Sequence, residues 1–560
     1  MYKIILLQNH KYVIIGLMIK ERLEELFAKD NYAYDSEIIS PTLLQKLDRA
    51  ILSNAQDSNC RTEIISLYKK FQPMKQEAPE NNKLELFTAL RNFASEQITQ
   101  KEFIQALIIY RFLIVKSSLY PTDYSAIASS LSSIDVELAK NFIDIYKQYE
   151  TNKALLFLEC ADFYKKTGDI QNSIEYYEKY IQIDSTKSVI FNILADLYSK
   201  TTEKNSIHKQ LEYYQKAFKL KPDNRLSLHG LAFIYEKLDD RENADKYYKL
   251  LLDNNPTETD YYNYGMFLIH CGQIYEGHKY LTHRFNINDI NLKYPAPEPR
   301  WDLTSDIKNK TLLVHYEQGF GDTIMYCRFV PYLKNFAKKV IFVVQDELFD
   351  LIKKSEIMPL DIEIIPSKTD LNSIKFDYTM ALLDIPYVLK TEPETIPFKN
   401  GYLSTDTTKT PSDKLKIGIA YSGDKNANYN SRNLTLKDFS KLAQIKDTEI
   451  YSLQKDETET IEGVIPLGPT FNNFTDSAKA IEQMDMIIST DNVILNLAGA
   501  LGIKTYGLFN KTTNFRWFKT NGENVGWYNS VKPIQNKIEN DWSSTLEQIT
   551  KIIENSKKNN

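Results

Sequence analysis

Apolar residues recur every three or four positions through the first half of the chain, the period of helices with one buried face. The spacing predicts helices over Lys20–Phe27, Pro41–Asn54, Leu84–Ser95, Phe103–Lys116 and Asp135–Tyr149, with Pro73–Asn82 as an exposed loop. After the proline-rich stretch from Asn286 to Arg300 the pattern changes to short continuous apolar runs alternating with helical segments. Strands are expected at Thr311–His315, Lys339–Val344, Ile362–Ile365 and Tyr378–Leu382, with helices near Thr323–Phe336 and Leu348–Ser355. Beyond the Thr-rich break Thr405–Ser412, strands are expected at Leu415–Tyr421, Glu449–Leu453, Val464–Leu467, Met486–Ser489 and Lys504–Phe509. Helices there fall at Leu436–Gln444, Thr475–Gln483 and Val493–Leu501, and a last helix, Ser544–Glu554, is long enough to pack across the joint. Strands apolar on both faces belong to parallel sheets covered by helices, joined by right-handed crossovers. Two such halves create a cleft at the carboxyl ends of their strands.

The middle of the chain repeats. Leu158-Ala161-Tyr164-Gly168-Tyr177 is followed by Leu194-Ala195-Tyr198-Tyr214-Ala217-Pro222, Leu231-Ala232-Tyr235-Ala244-Tyr248-Pro256 and Gly265-Leu268-Gly272-Gly277-Leu281. The small residue recurs at Ala161, Ala195, Ala232 and Gly265, in steps of 34, 37 and 33. A small side chain there lets two helices approach, and prolines stop the second helix of a repeat. The pattern resembles the tetratricopeptide repeat, with an insertion around Glu203. It implies an α-solenoid whose concave face either takes a peptide or protein partner or only braces the domain behind it. The chain divides into 1–150 (degenerate helical pairs), 151–290 (repeats), 301–405 (first α/β half) and 412–560 (second).

At 560 residues the chain exceeds one core, and 26% charged with 42% hydrophobic residues is ordinary for a soluble protein. A net charge of −5 argues against nucleic acid as the main partner. The opening MYKIILLQNHKYVIIGLM is interrupted by Asn9, His10 and Lys11 and lacks a cleavage site, so neither a leader nor a stable membrane span is expected. It is a first helix or strand, or translation starts at Met18. Cys60, Cys160, Cys271 and Cys327 have no ligand spacing and read as reduced thiols of a cytoplasmic protein. No histidine follows His315, so no metal site is expected in the second half.

Two segments carry candidate chemistry. TLLVHYEQGFGDTIMYCRFVPY, 311–332, is a strand, an acidic loop with Glu317, Gly319, Gly321 and Asp322, then a helix. Asp322 is either a helix cap or a group delivered to the carboxyl end of the sheet, where ligands of such folds lie. DMIISTDNVILNLAGALGIKTYGLF, 485–509, ends a buried strand in Ser489-Thr490-Asp491 and starts a helix at once. Free amides at that start would suit a diphosphate, unless Asp491 is just the N-cap. Gly319-Phe-Gly321 lacks the third glycine of a dinucleotide fingerprint, and neither a P-loop nor a GxSxG elbow is present.

The segments PEPRWD, EQGFGDTIMYCRFVPYL, IAYSGDKNANYNSRNLTL, YSLQK and ISTDNVILNLAGALG, in this order, resemble bacterial tetratricopeptide proteins with a glycosyltransferase-like carboxyl domain. That domain is similar to the ADP-heptose heptosyltransferases and, distantly, to the O-linked N-acetylglucosamine transferases. The resemblance implies a GT-B-like core of two nucleotide-fold domains behind the solenoid. It also implies transfer of a sugar from a nucleotide-diphosphate donor to a protein or glycan acceptor, with no metal or further cofactor. Asp322 would be the base toward the acceptor, with His315 either an alternate base or a residue hydrogen-bonded to backbone. Arg432, Lys455, Thr490, Asp491, Asn492 and Asn496 would meet the donor, and Glu317 would support the loop. The related motif has Thr and His where this chain has Asn492 and Asn496, and Asn can neither carry charge nor shuttle a proton. A non-catalytic scaffold with a degenerate nucleotide-sugar domain is therefore the second reading, and an epimerase or hydrolase the third.

Overall fold

The computed structural model describes residues 38–54, 80–115, 119–203, 205–287, 297–423, 433–520, 524–538 and 540–556. The helix expected at Lys20–Phe27, Arg432, Cys60 and the Pro73–Asn82 loop up to residue 79 lie outside them. The chain forms two compact units, 1–235 and 236–560.

The first unit is a run of helices. Pro41–Asn54, Glu80–Thr99, Phe103–Val115 and Val136–Tyr149 stand near their expected places, and Pro121–Leu131 is a further helix. The repeat proper comprises Lys153–Thr167 with Ile170–Ile181, Ser188–Ser199 with Ser206–Leu220, and the start of Arg225–Lys237. Ala161 and Ala195 are fully buried at the crossings, as the repeat requires. The Tyr214 ring lies 2.5 Å from where a Cβ on Gly230 would stand, so a side chain there would require the ring to move. Stacked rings, Tyr164 on Tyr176 at 5.6 Å and Tyr198 on Tyr213 at 5.8 Å, fill the space between helices.

The second unit opens on the remaining repeat helices, Arg241–Leu252, Glu258–His270 and Ile274–Leu281, and a 3-10 turn, Thr282–Asn286. Ile269, Ile274 and Leu281 share one hydrophobic core with the first sheet, which is why these helices belong to the α/β unit. A Cβ on Gly265 would meet the Gly277 carbonyl oxygen at 2.8 Å. Gly265→Ala must separate two backbones, and a loss of about 1–3 kcal/mol is expected in denaturant unfolding.

Two parallel sheets complete this unit. The first contains β1 (Thr311–His315), β2 (Lys339–Val344), β3 (Glu363–Pro366) and β4 (Tyr378–Ala381), in the order β3-β2-β1-β4. The second contains β5 (Leu415–Ala420), β6 (Thr448–Ser452), β7 (Val464–Pro466), β8 (Met486–Thr490) and β9 (Thr505–Phe509). The two-residue strands β10 (Lys519–Thr520) and β11 (Asn524–Val525) pair with each other, and β12 (Val531–Gln535) adds to the edge of the second sheet. Its order is β12-β9-β8-β5-β6-β7. In both sheets the chain reverses direction next to the first strand, between β1 and β4 and between β5 and β8. Such switch points open crevices for ligands at the carboxyl ends of strands.

Arg328, fully buried, joins the halves: its Nη1 donates to the Trp527 carbonyl at 2.8 Å and its Nη2 to the Tyr402 hydroxyl at 2.9 Å. The segment expected as one helix, Leu436–Gln444, is two 3-10 turns, Leu436–Phe439 and Leu442–Gln444. The last helix, Ser543–Ser556, packs onto the second sheet through Ile549 and Ile553 rather than across the joint.

Candidate functional site

Each switch point delivers a loop to the same place. The turn after β1 brings Gly319 to Asp322, the turn after β5 brings Tyr421 to Gly423, and the turn after β8 brings Asp491 and Asn492. With Gln454–Glu459 beyond β6 and Asn514, Arg516 and Trp517 beyond β9, they line a cavity of about 760 Å³. A cavity of that size accommodates a small ligand such as a nucleotide. Phe320 and Phe474, rings 4.9 Å apart, touch across the two halves beside it.

Asp322 caps the helix Phe320–Cys327, accepting from the Gly319 N–H at 3.2 Å through Oδ2. The other carboxylate oxygen, Oδ1, forms an ion pair with Nε of Arg516. Both sequence readings of Asp322 therefore hold together: it is a cap, and it lines the cavity. Gly321 is bare because Asn496 of the opposite half stands there, its Nδ2 3.0 Å from a notional Cβ.

Across the cavity Asp491 accepts from the Trp517 indole N–H at 2.9 Å. The N-cap of the helix Val493–Ala500 is Asn492, not Asp491; Asn492 Oδ1 accepts from the Ile494 amide at 2.9 Å and the Leu495 amide at 3.4 Å. This corrects the free-amide anion cradle, because two of those amides already have a partner. Asp491, relieved of capping, is part of the cavity wall. Asn496 donates to the Asn492 carbonyl at 3.4 Å and accepts from the Tyr528 hydroxyl at 3.2 Å, lining the cavity between them. Thr490 is fully buried behind it, accepting from Asn492 at 3.3 Å, and does not line the cavity. Lys455 is exposed at the rim.

His315 is not placed to be a base. It is 1% exposed, its Nδ1 donates to the Tyr316 carbonyl at 2.9 Å, and it is absent from the cavity wall. Burial holds its pKa down at about 4. The backbone-bonded alternative is the observed one.

Glu317 is structural and fully internal. It receives two hydrogen bonds from Arg284, at 2.8 and 2.7 Å, while Arg284 also pairs with Asp384 at 2.8 Å. Arg300, from the PEPRWD segment, reaches the same Asp384 at 2.9 Å. This network ties the turn after the last repeat helix to the loop that carries Asp322. Burial pushes the Glu317 carboxyl up, and Arg284 pulls it back.

His278 is also buried, between the Ile274 carbonyl at 2.8 Å and the Tyr326 hydroxyl at 3.1 Å, and burial lowers it to about 4. Its unfolded pKa is near 6.5, so between pH 6.5 and 4 the unfolded chain binds the proton and the folded one does not. Stability is thus expected to fall as pH drops through that window, by roughly 2–3 kcal/mol from this residue. His278→Gln should flatten the slope in pH-dependent denaturant unfolding.

Arg516 and the buried network were not legible in the sequence; Arg516 sits in an irregular link, NFRW, with no motif spacing. Among the described residues no cluster of metal-ligating side chains is present, and no helix is long and apolar enough to cross a membrane.

Known proteins share parts of this chain. The tetratricopeptide repeat family model matches residues 157–187 and 227–258. Protein FlbA of Caulobacter vibrioides is 22% identical over 328 residues, 51% of this chain and 53% of that protein. The match thus spans about half of that relative's length. A glycosyl transferase family 9 structure from Veillonella parvula superposes with a TM-score of 0.32 at 12% identity, over 45% of this chain and 92% of that one. The C-terminal part of a TPR repeat-containing protein from Cytophaga hutchinsonii gives 0.30 at 15%, over 35% and 78%. The chain carries tetratricopeptide repeats followed by a region of two parallel sheets.

Proposed function

We propose that the α/β region is a glycosyltransferase that moves a sugar from a nucleotide-diphosphate donor to a protein or glycan hydroxyl. One observation carries this reading: the switch points of two parallel sheets open on one cavity, with Asp322 on one wall and Asp491 on the other. The sequence resemblance to heptosyltransferases supports it, as does the pair of cations Arg516 and Lys455 on the cavity wall. In the reaction Asp322 takes the acceptor proton, the acceptor oxygen bonds to the anomeric carbon, and the bond to the diphosphate breaks with its electron pair on phosphate oxygen. Fixed cations stabilise that developing charge without a metal. The helical repeats present a protein partner or acceptor. Free thiols at Cys160, Cys271 and Cys327 fit a reducing, cytoplasmic setting.

A non-catalytic nucleotide-sugar binder is the second reading, favoured by the ion pair on Asp322 and by Asn496, which cannot shuttle a proton. A thermal-shift series with nucleotide sugars separates the two. A ligand of the native state raises the melting temperature. Binding followed by slow release of nucleoside diphosphate is expected for transfer; binding without release in cell extract supports the binder. No shift with any nucleotide sugar removes both.

A further inference from the structure

The ion pair between Asp322 and Arg516 is unusual in its geometry. Asp322 Oδ1 and Arg516 Nε form an ion pair, yet neither atom makes a hydrogen bond. Both side chains are largely buried, 13% and 17% exposed, and both line the cavity. The rest of the guanidinium is held: Nη1 donates to Asn514 Oδ1 at 3.1 Å and Nη2 to Gln318 Oε1 at 3.1 Å. A buried charged donor left without a hydrogen bond is costly unless another acceptor completes it.

We infer that Arg516 is an exchangeable partner: it restrains Asp322 until a donor diphosphate takes the guanidinium, which releases the carboxylate to accept the acceptor's proton. This rests on the donor reading above and names its diphosphate recognition. Arg is suited to the exchange because its planar fork matches a phosphate as well as a carboxylate. Two anions then compete for one cation. The diphosphate wins when bound, since it carries more charge and can accept two parallel hydrogen bonds. Arg516 acts on the leaving group directly and on the base by positioning it, so the carboxylate becomes available only with the donor in place.

Competition makes an unusual forecast. Removing the charge of Asp322 frees Arg516 for the ligand, so Asp322→Asn should bind nucleoside diphosphates more tightly than the wild type. Isothermal titration of the full chain with ADP, GDP and UDP tests it. The expected result is a gain of about tenfold for Asp322→Asn and a loss of about tenfold or more for Arg516→Ala, the range of one charge-assisted hydrogen bond. Arg516→Lys, which keeps the charge and is gentler on folding, should recover part of that loss. In the double variant the Asp322→Asn gain should vanish. Wild-type binding with an unchanged or weaker Asp322→Asn affinity overturns the exchange and leaves the donor reading standing. Wild-type failure to bind any of the three nucleotides or their sugars removes the donor reading and the exchange together.

Discussion

Arg284→Met is expected to be the most destabilising single change in the α/β unit. The guanidinium is 1% exposed and holds two carboxylates, Glu317 and Asp384, both with fully buried side chains. Removing it leaves Glu317 without its cation and Asp384 with Arg300 alone. Breaking a buried pair from one side costs roughly 3–5 kcal/mol, because the remaining charge keeps its desolvation penalty. Denaturant unfolding should show a lower midpoint, and Arg284→Met combined with Glu317→Gln should regain part of the loss. Equal stability of the single variant and the wild type would mean the network holds nothing. The network's position also has a functional consequence. Glu317 lies between β1 and the cap of Asp322, so loosening the network should also misplace the loop, reducing transfer more than the folded fraction alone explains.

Asp322→Asn carries the largest expected effect on chemistry. The amide keeps an oxygen for the Gly319 N–H, so the cap survives, while Arg516 loses its carboxylate partner and denaturant unfolding should show a loss of about 1–3 kcal/mol. It cannot take a proton at neutral pH. Loss of a positioned general base costs about 10²–10⁴ in rate, and that loss should fall on kcat. The matching change at Asp491, hydrogen-bonded by Trp517, should weaken donor binding and act mainly on KM. A variant at Asp322 that transfers sugar at the wild-type rate would assign the base elsewhere.

Much of the fold was legible because buried parallel strands are continuous apolar runs. Thr311–His315 and Lys339–Val344 stand where the sequence puts them, and Met486–Thr490 ends one residue beyond. β12 was hidden because Lys532 and Pro533 interrupt its pattern; a proline is tolerated there because the strand lies at the sheet edge, paired only to β9. Pro121–Leu131, PTDYSAIASSL, was hidden by its serines and small residues, which blur a helical period even though Ile127, Ala128 and Leu131 are buried. The site was half legible. Asp322, Gly321 and Asp491 follow from strand-loop-helix spacing, which is local. Arg516 and Arg284 do not, since a charged residue inside a protein declares itself only through a partner distant in the chain. Asn492, expected to meet the donor where the related motif has Thr, is the cap of the helix Val493–Ala500, a local role set by its place between the end of β8 and the helix start.

A crystal structure of the full chain with a bound nucleoside diphosphate tests the central claim most directly. Both phosphates are expected between Arg516, Lys455 and the end of the strand that carries Asp491, with Asp322 freed from the guanidinium and facing the same cavity. A nucleotide seated elsewhere on the chain, or none at saturating concentration, would contradict it.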